Sequence, residues 1–184
     1  MNRKSLTIGL VLSCVMILGY DKAEAGKLPV KGSYSGSFVN TQSDTNGDGQ
    51  KGSLNIGAIK GTLGSQTFQS VIEYVFSGPG VCPNGNAGFI FTLLPGTGYG
   101  VGRADSTGDL IFTEITAATL CYDPTTLIQF FSATENITGG TGRFAGATGF
   151  TTSSGTARTL FEDAAGNFFG EQSGVYESGE IITP

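Results

Sequence analysis

The chain has 184 residues, 30 of them Gly, with 14% charged residues and a formal net charge of −5; this suits one domain with a real core. His is absent, which excludes a Ser-His-Asp triad, a histidine general base and a His-containing zinc site. Ten Lys and Arg against fifteen Asp and Glu leave no basic surface for nucleic acid, so no nucleic-acid partner is expected.

Asn2-Arg3-Lys4 forms a basic start, followed by an apolar run from Leu6 to Leu18 and then Ala23-Glu24-Ala25 before Gly26. A basic region, a short apolar core and an A-x-A site define a secretory signal. The run is shorter than the ~20 residues a membrane-spanning helix needs, and no later stretch is long enough either. Residues 1–25 are therefore expected to be cleaved near Ala25, leaving residues 26–184 as a secreted or periplasmic domain with no transmembrane span. Val11-Leu12-Ser13-Cys14 loosely resembles a lipoprotein processing site, so a lipid anchor on Cys14 is the minor alternative. After cleavage Cys82 and Cys121 remain, a natural pair for one disulfide in an oxidising compartment. Two separate buried thiols are the other arrangement.

The rest of the chain reads as short alternating runs broken by Gly, Asn, Asp and Pro, the pattern of an all-β protein. Val30 to Gln42 alternates, with Tyr34 and Phe38 on one side. Leu54 to Leu63 is a second strand, after a loop at Asp44–Gly49. In Phe68 to Phe76, Phe68, Ile72, Tyr74 and Phe76 share one face while Val71, Glu73 and Val75 take the other. Gly78 to Gly88 is expected as a loop around Cys82, followed by strands over Phe89–Leu94, Tyr99–Ala104, Asp109–Tyr122, Leu127–Asn136, Thr148–Glu162 and Asn167–Ile182. A tight helical turn falls near Gly142 to Gly146. Eight or nine strands with glycines inside them suit one closed antiparallel β-barrel of about eight strands, with a β-sandwich as the alternative.

Ile137 to Gly149 reads Ile-Thr-Gly-Gly-Thr-Gly-Arg-Phe-Ala-Gly-Ala-Thr-Gly. Gly139, Gly140, Gly142, Gly146 and Gly149 permit backbone approaches closed to other residues. Phe144 is placed to plug one end of a barrel, and Arg143 to bond nearby carbonyls. A phosphate-cradling loop would need a Lys-Ser/Thr pair opening a helix, whereas a strand follows here. The segment resembles the G-G-T-G-[RK]-F-x-G-A-x-G signature of the allene oxide cyclase-like and dirigent-like β-barrels, which exported bacterial proteins of unknown role also carry. That resemblance implies an eight-stranded antiparallel barrel with a central cavity. In the plant relatives the cavity handles apolar molecules, and related barrels associate into dimers or trimers. The family's functional polar positions do not match residue by residue, so no catalytic role transfers.

Asp44, Asn46 and Asp48 stand at positions 1, 3 and 5 of a calcium-loop pattern, with Gly49 at position 6 and the Gln50 carbonyl at position 7. Asn55 replaces the bidentate Glu at position 12. A weak extracellular-type Ca²⁺ site and an ordinary acidic hairpin tip are both open. Glu73 and Glu114 each interrupt an apolar strand. Facing a cavity, either would be a raised-pKa acid or a ligand contact; facing out, either would pair with Arg103 or Arg158. The residues together favour a secreted, non-catalytic binding or structural barrel holding a small apolar ligand and a weak Ca²⁺. An isomerase or dirigent-like guide for an apolar substrate is the first alternative. A calcium-dependent extracellular adhesion or matrix protein is the second.

Overall fold

The computed structural model describes residues 26–41 and 51–184. The expected signal segment, Cys14 and the candidate calcium ligands Asp44, Asn46, Asp48 and Gln50 lie outside them. Ten strands follow in chain order: β1 (Gly26–Pro29), β2 (Gly32–Asn40), β3 (Lys51–Gly61), β4 (Gly64–Val81), β5 (Ala87–Leu93), β6 (Tyr99–Ala104), β7 (Leu110–Asp123), β8 (Ile128–Gly140), β9 (Thr148–Glu162) and β10 (Phe168–Thr183). One 3-10 turn, Gly142–Phe144, sits between β8 and β9.

All pairings are antiparallel, and they return on themselves. β2 pairs β3, β3 pairs β4, β7 pairs β8, β8 pairs β9, and β10 pairs both β9 and β2. Two strand lines are broken. β1 and β2 lie end to end along β10, and β5 and β6 lie end to end between β4 and β7. Ten strands thus fill eight positions of a ring. The break between β5 and β6 is bridged. The Leu94 N–H donates to the Glu73 carbonyl at 2.9 Å, the Glu73 N–H to Thr97 Oγ1 at 3.3 Å, and the Ile115 N–H to the Gly98 carbonyl at 2.9 Å. The ladder therefore stays satisfied across the Pro95-Gly96 interruption.

β4 continues through the expected loop as far as Val81, and β5 starts at Ala87. Pro79 is tolerated there because β3 accompanies β4 only to Tyr74, so past the Phe76/Gly78 bulge β5 is the described neighbour. A proline without an N–H fits such a one-sided segment.

Inside the ring, aromatic side chains lie against glycines of the neighbouring strand. A Cβ built on Gly57 would come within 2.6 Å of Phe68, and one on Gly155 within 2.8 Å of Phe131. Phe38 covers Gly170 and Tyr34 covers Gly174 in the same way. The missing side chain on one strand is the space that the ring on the next occupies. Tyr34 is the hub, with centroids 5.9 Å from Phe68, 6.2 Å from Phe131 and 5.5 Å from Tyr176.

The Gly-rich segment closes one end. Phe144 is buried with Val30, Ala104, Ile111, Ile137, Ala147 and Ile181. Arg143 donates from Nη2 to the Leu63 carbonyl at 2.9 Å, and its guanidinium lies 4.5 Å over the Phe144 ring. Both side chains do what the sequence suggests. Gly142 adopts φ +55°, and a Cβ there would collide with the Asp109 carboxylate.

The other end is tied by Cys82–Cys121, which form a disulfide with Cα atoms 5.5 Å apart. Beside it Asp123 is fully buried. Its carboxylate accepts from Asn84 Nδ2 (2.7 Å), Asn86 Nδ2 (2.8 Å), the Thr125 N–H (2.8 Å) and Thr126 Oγ1 (2.7 Å). These bonds join the β4–β5 loop to the β7–β8 turn, where Leu127 takes a left-handed φ of +58°. The Asn86 and Asn84 amides, with Thr126 and Thr125, hold the Asp123 carboxyl well below the ordinary carboxylate range.

Three predictions concern these ends. Gly142→Val should fail to fold, because a β-branched residue resists positive φ and has no room beside Asp109. Circular dichroism and gel filtration of the variant check this, with Ser106→Val as an exposed-loop control. The disulfide closes a separation of 39 residues, and loop entropy gives it about 4 kcal/mol. A Cys82→Ser/Cys121→Ser chain should lose up to that amount in urea unfolding. Asp123→Ala should be less stable than wild type at neutral pH. The folded carboxyl titrates below its unfolded value of 3.8, so its contribution is present above about pH 4 and lost as pH falls below it. The gap between the two proteins should therefore close in acid, as followed by the thermal midpoint.

Candidate functional site

A cavity of about 140 Å³ runs along the interior, from Val30, Leu63 and Ile137 near Phe144 to Phe38, Asn40 and Gln129 toward the other end. An apolar void of similar size in an engineered core, about 150 Å³, holds a benzene molecule. The interior is thus mostly filled by side chains, with room for one small guest.

Strand alternation decides who faces this space. β8 points Gln129, Phe131, Ala133, Glu135 and Ile137 inward. β9 adds Thr151, Ser153 and Ala157, β2 adds Tyr34 and Phe38, β4 adds Phe68, Ile72 and Tyr74, and β10 adds Tyr176. A bulge between Ile115 and Ala117 resets β7 so that Thr113 and Ile115 line the cavity before it and Leu120 after it. The walls are therefore aromatic and aliphatic, with a polar group at mid-height.

That group is built around Glu135. It stands between Ile115 on β7 and Thr151 on β9. Its side chain lies inside the ring, and the surface it retains faces the cavity. Burial pushes its carboxyl pKa up, partly offset by a hydrogen bond from Thr113. Burial also raises the phenols of Tyr34 and Tyr74, with a bond to Ser153 partly opposing it at Tyr34. Tyr176 is raised well above 10.0 by burial, then by the nearby Glu135 and Tyr34. All three phenols are neutral donors at physiological pH. Thr151 Oγ1 is buried in the same wall without a hydrogen-bond partner.

Glu73 and Glu114 fall elsewhere. Glu73 alternates with Ile72 and Tyr74, which line the cavity, and so points away from it, although it is buried. Glu114 lies between the inward Thr113 and Ile115 and is half-buried on the outer side. Neither lines the cavity, which is the outward one of the two alternatives, and the carboxyl that does line it is Glu135. Cys82 and Cys121 come together as the disulfide. Gly139, Gly140, Gly142, Arg143, Phe144, Gly146 and Gly149 build the closed end. Among the described residues no group of three or more Cys, Asp or Glu gathers as a metal centre.

No family model and no curated protein matches this chain. A crystal structure of MucB in complex with MucA(peri) is similar over 79% of this chain and 89% of that one, at 9% identity and a TM-score of 0.14. A likeness that weak carries no argument about fold or function.

If Glu135 and Thr151 form one polar station, Thr151→Val should be tolerated without a guest. It removes a hydroxyl that has no partner while keeping the β-branched shape, so the thermal midpoint should hold or rise. A marked fall would mean that the hydroxyl already has a structural role.

Proposed function

We propose that the ring is a closed β-barrel of the allene oxide cyclase-like and dirigent-like kind, exported from the cell, that holds a small, mostly apolar molecule in its interior. The observation that carries this is the 140 Å³ cavity walled by Tyr34, Phe68, Phe131 and Tyr176 around Glu135. Apolar walls with a few convergent polar groups are how small-molecule sites are built. Eight strand positions and the plug at Phe144 support the family resemblance. The Cys82–Cys121 bridge supports an oxidising compartment.

Size narrows the guest. Drug-sized ligands occupy pockets of roughly 300–1,000 Å³, so an extended lipid does not fit the interior as it stands, whereas a single ring does. A proton-transfer isomerase is the second reading, favoured by one observation: the raised pKa of Glu135 makes it a proton donor inside an apolar site. The calcium-loop reading draws no support from the described residues.

The full chain should be stabilised by benzyl alcohol, a one-ring neutral probe, by about 2.7 kcal/mol at a hundredfold excess over Kd. Ala133→Met extends a side chain from the wall that Ala133 shares with Ile72 and Ile115 into the cavity and should remove that response while keeping the β-sheet spectrum. A melting temperature unmoved by the probe in wild type, or moved equally in the variant, sinks the proposal.

A further inference from the structure

Gln66, Gln129 and Gln172 already line the cavity, so neutral amides serve there where hydrogen bonding is enough. A carboxyl at position 135 adds what an amide lacks, a negative charge on demand. Thr151 lies directly opposite Glu135 across β8 and β9, is 5% exposed, and has an Oγ1 with no partner in the protein. Opposed residues on one sheet face stand ~4.5–5.5 Å apart at Cβ, so one small group can reach both. Tyr34 and Tyr176, with centroids 5.5 Å apart, border the same space, and aromatic faces attract cations.

The groups facing Glu135 are Thr113 and Ile115 from β7, Thr151 and Ser153 from β9, and the phenols of Tyr34 and Tyr176 across the interior. None carries a positive charge. Lys31, the other ionisable cavity-lining residue of Lys or Glu type, is exposed beside the Phe144 end. Among the described residues no Lys or Arg forms a salt bridge with Glu135.

We propose that the cavity binds a small protonated organic amine, its ammonium held between the Glu135 carboxylate, the Thr151 hydroxyl and the faces of Tyr34 and Tyr176. This rests on the interior being a ligand cavity and names the guest's chemistry. An ammonium has three donors, and the carboxylate and hydroxyl oxygens accept two of them. The cavity volume of about 140 Å³ limits the apolar part to a single ring or a short alkyl chain. Empty, the cavity favours the protonated form of Glu135, because burial disfavours the anion. The guest enters as R–NH₃⁺, the protonated form of the carboxyl releases its H⁺ to the buffer, and the ion pair remains. Binding must therefore weaken as pH falls, since protons compete with the ammonium for the carboxylate. A neutral guest that accepts a bond from the protonated carboxyl would show the opposite trend.

The test is calorimetric titration of the full chain with benzylamine and with benzyl alcohol, in two buffers of different ionisation heat. Benzylamine should bind about tenfold tighter than benzyl alcohol, release one proton, and weaken in acid. Glu135→Gln should abolish that preference and the proton release, Glu135→Asp should keep both, and Thr151→Val should weaken benzylamine several-fold. Equal binding of the two probes, a preference that survives Glu135→Gln, or no proton release overturns the amine assignment and leaves the ligand cavity standing. If neither probe binds, both proposals fall.

Discussion

β10 pairs with β9 on one side and with β1 and β2 on the other, and this double pairing sets the terms for everything inside. A sheet that returns on itself hides its backbone polar groups and leaves few strand edges free to recruit other chains. It also fixes how much volume the inward side chains must fill. Small rings of this strand number leave an interior just wide enough for side chains. Glycine decides the outcome here. Where Gly57, Gly155, Gly170 and Gly174 offer no side chain, Phe68, Phe131, Phe38 and Tyr34 lie flat against the neighbouring backbone. The aromatics are thereby drawn back to the wall, and the residual void is left along the centre.

That void gives the interior polar groups their meaning. A carboxyl buried in contact with tightly packed hydrocarbon would be a large liability. Glu135 lessens this by bonding Thr113 and by bordering the cavity, and its burial favours the protonated form. Its charge state is consequently conditional on what occupies the cavity. Asp123 shows the opposite solution to burying a carboxyl. Five side-chain and backbone donors converge on it, and it stays ionised as a structural knot beside the disulfide. Asp123 and Glu135 are thus separated by environment, one satisfied within the protein and one bordering the cavity.

Much of this was legible in the residues. Short alternating runs mark an all-β chain, Tyr34 and Phe38 fall on one face and point inward, and the Gly139–Gly149 segment has the residues of a structural closure. The interior acid was not legible, for a physical reason. Phe130 and Phe131 are adjacent, so the strand around them shows no apolar contrast between its two faces. Glu73 and Glu114 drew attention because they stand among apolar neighbours, yet the outer wall of this ring is itself rich in exposed apolar residues such as Leu54, Val71, Tyr99 and Phe112. Apolar context therefore did not mark the inside. Parity with Ile137, which the motif fixes at the closed end, would have placed Glu135 inward. The bulge at Ile115/Ala117 hides the equivalent parity on β7, because no local residue pattern announces it.

The two ends of the ring differ in what holds them. The Phe144 end is held by a buried apolar cluster, by Arg143 on the Leu63 carbonyl and by glycines whose φ values exclude side chains. Opening it would break all of these together. The opposite end is tied at one side by Asp123 and the disulfide, while Phe76, Phe89 and Phe161 remain about half-exposed there. Rotamer changes of such half-exposed rings occur within nanoseconds and disturb no ladder hydrogen bond. The Phe144 end is thus sealed by a buried apolar plug, whereas the other is fastened by a covalent bridge and a buried carboxylate with its donors.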